Sequence, residues 1–479
     1  MFKATIGLEI HAELNTKSKM FCSCRNDPEE KEPNVNICPV CTAQPGALPV
    51  ANKEAVKKVV KAGLALNCRI AEFSKFDRKN YFYPDLPKGY QISQYDAPFC
   101  ENGFLEIEDK KIRIRRIHLE EDAGKLIHTE GKNYSLVDFN RAGVPLMELV
   151  TEPDINSGEE ARRFAQELQL ILRYLEISNA DMEKGQLRVE VNISLSRDEN
   201  LGTKVEIKNL NSFRSVEKAI DYEIKRQSSL LEKGEKVVQE TRGWNDKRGI
   251  TVSQRLKEES QDYRYFPEPD LPTLRLSSDF IGRIKDEIIE LPQNRRKRMS
   301  QRYDLDGKII EVFVVNKLLG DYFEEVVSNF QNENLKDGDF LKLSRLTANY
   351  IVTDLRGLFR ATPSKIGDFP VASSNFSDFI MLIYKNEISS KIAKAVLREM
   401  VETGKGPLTI IKEKDLRQIT NEGEIEKIVE KVIKENEKAV SDYKSGKESA
   451  FQFLIGQVMR ETKGKAKPEL ISKILKNTL

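Results

Sequence analysis

Leu187-Arg188-Val189-Glu190-Val191-Asn192-Ile193-Ser194-Leu195-Ser196 alternates without a break. Successive side chains of an extended chain point to opposite faces, so Leu187, Val189, Val191, Ile193 and Leu195 share one side and Arg188, Glu190, Asn192 and Ser194 the other. The stretch is a strand with one buried and one polar face. Lys204-Val205-Glu206-Ile207-Lys208 repeats the pattern and turns Lys204, Glu206 and Lys208 the same way. Residues 112–120 alternate too, but their apolar parity slips between Ile114 and Ile117, and a β-bulge accounts for the slip. Between these strands Ser157-Gly158-Glu159-Glu160 reads as a capping box opening a helix whose buried stripe is Phe164, Leu168, Leu172 and Leu175. Half-polar strands interleaved with helices specify an α+β domain built on a mainly antiparallel sheet.

That pattern ends near Leu291-Pro292 and the basic run Asn294-Arg295-Arg296-Lys297-Arg298. Helical periodicity follows, as in Val312, Val315, Leu319, Tyr322 and Phe323. Gly404-Lys405-Gly406-Pro407 is the next strong breaker. A chain of 479 residues exceeds what one core supports, and these signals divide it into an α+β domain over 1–291, a helical domain over 292–405 and a small helical tail over 406–479.

Composition excludes several classes. Charge makes up 32% of the chain, yet 78 Lys+Arg nearly balance 76 Asp+Glu, so any nucleic-acid surface has to be local. The tail offers one, with eight Lys/Arg against three Asp/Glu from Lys444 onward, Lys463, Lys465 and Lys467 among them, and Phe451 and Phe453 nearby. Phenylalanines at that spacing are as readily helix core as stacking platforms. No apolar run reaches the ~20 residues of a membrane span, and the start of the chain lacks signal-peptide character. With six cysteines, a disulfide scaffold is not expected. A cytoplasmic protein is.

Four of those cysteines form Cys22-x-Cys24 and Cys38-x-x-Cys41. Two close pairs joined by a loop suit tetrahedral thiolate binding of Zn²⁺, and four cysteines leave no open position, so the metal would be structural. The rival reading, reduced thiols with Cys38 and Cys41 as a redox pair, leaves Cys22 and Cys24 without a role. Cys68 and Cys100 read as buried thiols.

The acids carry the chemistry. Glu9 and His11 share a strand face, as do His118 and Glu120, with Glu121 and Asp122 directly after; Glu190 and Glu206 project from polar strand faces. Each taken alone faces water or pairs with Arg113, Arg188, Lys204 or Lys208. If the faces converge, four or five carboxylates meet, and like charges at such range need a counter-ion. Mg²⁺ with hard oxygen ligands, bridging substrate phosphates, answers that need. No P-loop and no Gly-x-Ser-x-Gly elbow occurs, and three histidines leave little room for a hydrolytic triad.

Six strings resemble one family: Ile6 to His11, Lys75 to Asp85 (KFDRKNYFYPD), Gln91 to Asp96, His118 to Lys125 (HLEEDAGK), Glu206 to Ser212, and Asp262 to Asp270 (DYRYFPEPD). The family is that of the B subunit of the glutamyl/aspartyl-tRNA amidotransferase, and the likeness runs into the tail at Ser449 to Met459. The resemblance implies a cradle-shaped catalytic domain, a helical domain and a tRNA-engaging tail. It implies a heterotrimer with an amidase (glutaminase) subunit and a small third subunit, acting on mischarged tRNA alongside the non-discriminating aminoacyl-tRNA synthetase. The implied reaction uses ATP to phosphorylate the side-chain carboxylate of Glu-tRNA(Gln) or Asp-tRNA(Asn), then ammonia from the amidase displaces phosphate. The family's Mg²⁺ positions fall on Glu9, His11, Glu121, Glu190 and Glu206, and Lys79 and Lys204 would offset developing charge. The alternative is a non-catalytic tRNA-binding adaptor.

Overall fold

The alternating stretches become strands of one nine-stranded sheet. In chain order these are β1 (Lys3–Glu13), β2 (Arg69–Ile70), β3 (Cys100–Ile107), β4 (Lys110–Glu121), β5 (Pro145–Thr151), β6 (Leu187–Ser196), β7 (Val205–Leu210), β8 (Glu240–Asn245) and β9 (Ile250–Leu256). Across the sheet they run β9-β8-β7-β6-β1-β5-β4-β3-β2. Every pairing is antiparallel except β7 with β8, where the helix Phe213–Glu232 supplies the crossover that a parallel pair requires. The computed structural model describes residues 2–128, 131–198, 200–256, 262–330, 335, 338–358, 365–416, 422–462 and 465–479.

The first of two units, Met1–Pro292, holds this sheet. One sheet face is apolar. Ile6, Leu8, Ile10 and Ala12 of β1 and Val189, Val191 and Ile193 of β6 are buried with Phe164, Leu168 and Leu172 of the helix Gly158–Tyr174 and with Val216, Ala219 and Ile220 of Phe213–Glu232. Ser157 caps its helix by accepting from Glu160 N at 3.2 Å. Glu160 reaches back one residue further than a capping box expects, to Asn156 N at 3.0 Å. The bulge lies where the parity slips: Val150 pairs with Arg116 but Thr151 with Ile114, leaving Arg115 extra. A smaller sheet sets Asp77–Asn80 between Tyr90–Ser93 and Phe266–Pro267, and this strand carries Lys79.

The second unit, Gln293–Leu479, is helical throughout its described residues. One expectation changes here. The stripe through Val312 to Phe323 is cut at Asn316, whose side chain accepts from Leu319 N at 3.1 Å and caps the helix Lys317–Asn329, so Val315 ends the preceding helix exposed. Within the basic run Arg295 is buried and donates to Asp321 at 2.8 Å and Glu324 at 2.9 Å. Helix Pro407–Glu413 packs on Ser373–Tyr384 and Ser390–Thr403. A separate apolar cluster, including Ile425, Val429, Phe451, Leu454 and Ile471, gathers the helices from Glu422 onward. Phe451 lies in that cluster against Tyr443, Phe453 is exposed, and Lys465 pairs with Asp415 at 2.8 Å. Lys463 lies outside the described residues. Among the described residues no helix is long and apolar enough to cross a membrane.

Candidate active site and thiolate cluster

The site grows from strand register. Across β1 and β6 Glu9 faces Glu190 and His11 faces Arg188. Across β1 and β5 His11 faces Glu148, and across β5 and β4 Glu148 faces His118. Every one of these side chains stands on the face opposite the apolar core, because their strand neighbours fill it.

Glu148 is the hub. His11 Nε2 and His118 Nε2 each lie 3.3 Å from its Oε2, and Glu120 is 3.7 Å from both imidazoles. Glu9 is 3.9 Å from His11, and Ser93 Oγ donates to Glu120 at 2.9 Å. On the β7 side Lys208 Nζ sits 2.9 Å from Glu190 and 3.5 Å from Glu206. Thr241 of β8 donates to Glu206 at 2.6 Å, which fixes one carboxylate oxygen from the strand behind.

Electrostatics follow the crowding. Burial works against charge on His118, but Glu148 and Glu120 outweigh it and raise the imidazole to about 9. Burial likewise resists the Glu148 anion, yet His118 and His11 hold its carboxyl well below the usual range. Glu9 is raised, first by burial and then by Glu148. Lys79 hangs over the Tyr263 ring at 5.2 Å; burial depresses its ammonium, and Glu120 and Glu148 more than reverse that. Tyr263 meets Tyr81 and Tyr265 edge-on, and Tyr265 stacks on Tyr95 at 4.2 Å.

Farther along the same face lies a second charged group. Asp122, buried, accepts from Arg188 at 2.8 Å and stands 3.6 Å from Arg141. Glu13 is pushed up to about 8, by burial first and then by Asp122, against the pull of Arg188 and Arg141.

Two expected residues do not join. Glu121 follows Glu120, so alternation turns it to the other side, where it accepts from Lys88 Nζ at 2.7 Å and Ile92 N at 3.0 Å. There it lines a cavity of about 170 Å³ with Cys22, Cys41, Lys88 and Tyr90. Lys204 precedes β7 and is exposed, whereas Lys208 reaches the acids. Glu9, His11, Glu190 and Glu206 stand on the common face, with Lys79 over it. Sequence reasoning misses Glu148. Its signal is a lone acid inside the apolar run Pro145-Leu146-Met147-Glu148-Leu149-Val150, since a carboxylate in a buried run requires partners.

The donor sets suit metals of different kinds. Donor atoms of Glu9, His11 and Glu148 lie within 4.8 Å of one another, as do those of His118, Glu120 and Glu148. An oxygen-rich, negatively charged set of this type fits a hard divalent cation. Cys22, Cys24, Cys38 and Cys41 also meet the 4.8 Å limit, with Cys41 Sγ 3.9 Å from Cys38 and 4.0 Å from Cys24. Zn–S bonds of ~2.3 Å place tetrahedral sulfurs about 3.8 Å apart, so the four thiols fit zinc. All six cysteines are free. The Cys41 thiol is driven down to about 5, mainly by the hydrogen bond from Cys22 and further by Lys19, a fully buried lysine whose Nζ is 3.8 Å away.

Residues 4–282 match the family model described as the GatB/GatE catalytic domain, and residues 321–479 the one described as the GatB domain. The chain is similar to proteins named as the B subunit of aspartyl/glutamyl-tRNA(Asn/Gln) amidotransferase. It is 50% identical to that of Caldanaerobacter subterraneus subsp. tengcongensis over 484 residues and 50% identical to that of Thermotoga petrophila over 489. It is 47% identical to that of Carboxydothermus hydrogenoformans over 487 residues. Each alignment covers 100% of this chain and 99% of the relative.

Proposed function

The chain belongs to the family of tRNA-dependent amidotransferase B subunits, and from that premise we propose that its acid-and-imidazole group is where ATP activates the side-chain carboxylate of Glu-tRNA(Gln) or Asp-tRNA(Asn). The observation that carries the reading is the meeting of Glu9, His11, Glu120, Glu148 and His118, drawn from three strands, around Glu148.

In the proposed reaction a carboxylate oxygen of the aminoacyl group attacks the γ-phosphorus of ATP, the bond to the β–γ bridging oxygen breaks, and ADP leaves. The resulting acyl phosphate is attacked at its carbonyl carbon by ammonia; phosphate leaves and nitrogen loses a proton to water. Magnesium, held by Glu9, Glu120, Glu148, Glu190 and Glu206 beside His11, would neutralise phosphate charge when bound. Lys79 adds a cation that the surrounding acids keep protonated, so it stabilises charge on the transferring group without donating its proton. Lys208 holds Glu190 and Glu206 in place. Tyr81, Tyr263 and Tyr265 wall the site and limit water.

The same reading assigns Cys22, Cys24, Cys38 and Cys41 a structural zinc. It also assigns the chain a place in a complex with a glutaminase-type amidase subunit and a small third subunit, served by the non-discriminating synthetase in the cytoplasm. The divisions 292–405 and 406–479 belong to it, the latter engaging the tRNA.

Glu9→Gln and Glu206→Gln, tested in the assembled complex, are expected to stop ATP-dependent phosphate release and amidation while glutamine hydrolysis continues. Amidation at the unaltered rate by both variants would leave the chain as a tRNA-presenting adaptor and end this proposal.

A further inference from the structure

A face lined by Glu9, Glu120, Glu148, Glu190 and Glu206 repels a substrate carboxylate. A metal ion can offset that charge but does not by itself select a carboxylate, whereas a hydrogen-bonding cation can, and several on this chain are committed elsewhere. Lys208 is bonded to Glu190, and Arg113 is spent on Asp154 at 2.6 Å on the sheet's margin. Lys79 is drawn to Glu120 and Glu148. Arg141 gives Nε to Ala123 O at 3.1 Å and Nη2 to Gly124 O at 2.8 Å.

Arg188 is different. It stands on β6 opposite His11, and its Nη2 donates at 2.8 Å to Asp122, the residue that follows β4. Asp122 is itself fixed: it is buried, its carboxylate accepts from Ala123 N at 2.9 Å, and Arg141 stands behind it. Among the described residues Nη2 to Asp122 is the one hydrogen bond that the Arg188 side chain makes, although a guanidinium carries five N–H donors. Its side chain remains 35% exposed. One corner of a planar fork is thus clamped by Asp122, while its other N–H donors are left for a ligand.

Resting on the reaction proposed above, we propose that Arg188 is the subsite for the side-chain carboxylate of the aminoacyl ester, taking it edge-on so that one oxygen is turned toward the acid-and-imidazole group. A carboxylate matches the fork in a bidentate manner, and an amide does not, because its NH₂ meets N–H donors. Arg188 therefore also distinguishes substrate from amidated product. It is a group that touches substrate, and Asp122 positions it.

The test uses the assembled complex with Arg188→Gln and Arg188→Lys, measuring KM for ATP, KM for Glu-tRNA(Gln), and inhibition by the product Gln-tRNA(Gln). A charged hydrogen-bonded contact of this type is worth roughly 10- to 100-fold in affinity. Arg188→Gln is expected to raise KM for Glu-tRNA(Gln) by that factor, leave KM for ATP within about threefold, and bind substrate and product equally. Arg188→Lys is expected to recover part of the substrate preference. An unchanged substrate-to-product preference in Arg188→Gln overturns the proposal, as does a rise in KM confined to ATP. Failure of the underlying site is read separately: Glu9→Gln assayed alongside loses ATP-dependent phosphate release if that site stands, whatever Arg188 does.

Discussion

Glu148 and Glu121 are both buried acids near the same strands, yet the structure gives them opposite parts, and replacing each by glutamine separates them. Glu148 lies 3.3 Å from two imidazoles. At an effective permittivity of about 20, each such contact with a protonated ring is worth roughly 5 kcal/mol gross. Desolvation cancels much of it, and breaking one partner of a buried pair leaves a net cost of about 3–5 kcal/mol. Glu148→Gln should therefore lower the unfolding free energy by about 3 kcal/mol near neutral pH. It should also raise the Mg²⁺ concentration for half-maximal ATP-dependent phosphate release by at least about tenfold, in the range seen when shell residues of metal sites are lost. Glu121→Gln removes the partner of Lys88 at 2.7 Å and should cost stability, but it should move the Mg²⁺ midpoint less than about threefold. Denaturant titration and a Mg²⁺ series on both variants decide the matter. Equal Mg²⁺ shifts in the two, or no shift in Glu148→Gln, would refute the division drawn from strand parity.

Cys41→Ser should reduce zinc from about one equivalent to a small fraction, because a hydroxyl replaces a thiol that Cys22 and Lys19 favour as the thiolate; elemental analysis of chelator-free protein showing undiminished zinc would count against the cluster. In the helical unit Glu324 is held below its ordinary range: burial opposes this, but Arg298 and Arg295 prevail. A depressed carboxyl contributes stability that is present above its unfolded value near 4.5 and lost as pH falls through the folded value. Hydrogen exchange of Pro292–Tyr303 and Lys317–Asn329 should accordingly quicken below about pH 4.5, and Glu324→Gln should cost about 3 kcal/mol at pH 7 and flatten that acid dependence.

Period-two alternation made the sheet legible in sequence, since Leu187 to Ser196 and Lys204 to Lys208 declare both faces, and the slip at Ile114 to Ile117 marked a real bulge. Thiol spacing likewise announced the Cys22 to Cys41 cluster. Adjacency of like residues misled. Glu120 and Glu121 differ only in parity, and motif resemblance chose the one that faces Lys88. Glu148 was hidden because its partners His11 and His118 are 137 and 30 residues away along the chain, brought beside it only by antiparallel register. Lys204 and Lys208 share a phase, but pairing starts at Val205, and a residue ahead of the ladder has nothing to hold it against the acids. Val315 kept the helical period yet fell at a helix end, a boundary set by the Asn316 cap rather than by hydrophobic spacing.

The strand β1 sits mid-sheet although it opens the chain, and both its neighbours arrive late, β5 at Pro145–Thr151 and β6 at Leu187–Ser196. A ribosome adding roughly 5–20 residues per second needs on the order of 7–28 s to go from the end of β1 to the end of β5. Until Thr151 is made, Ile6, Leu8 and Ile10 have neither neighbouring strand to pair with. Their apolar face stays exposed or is covered only by transient collapse in that time, and synonymous codons that slow synthesis before Thr151 would lower the yield of native protein more than slow codons placed after Ser196.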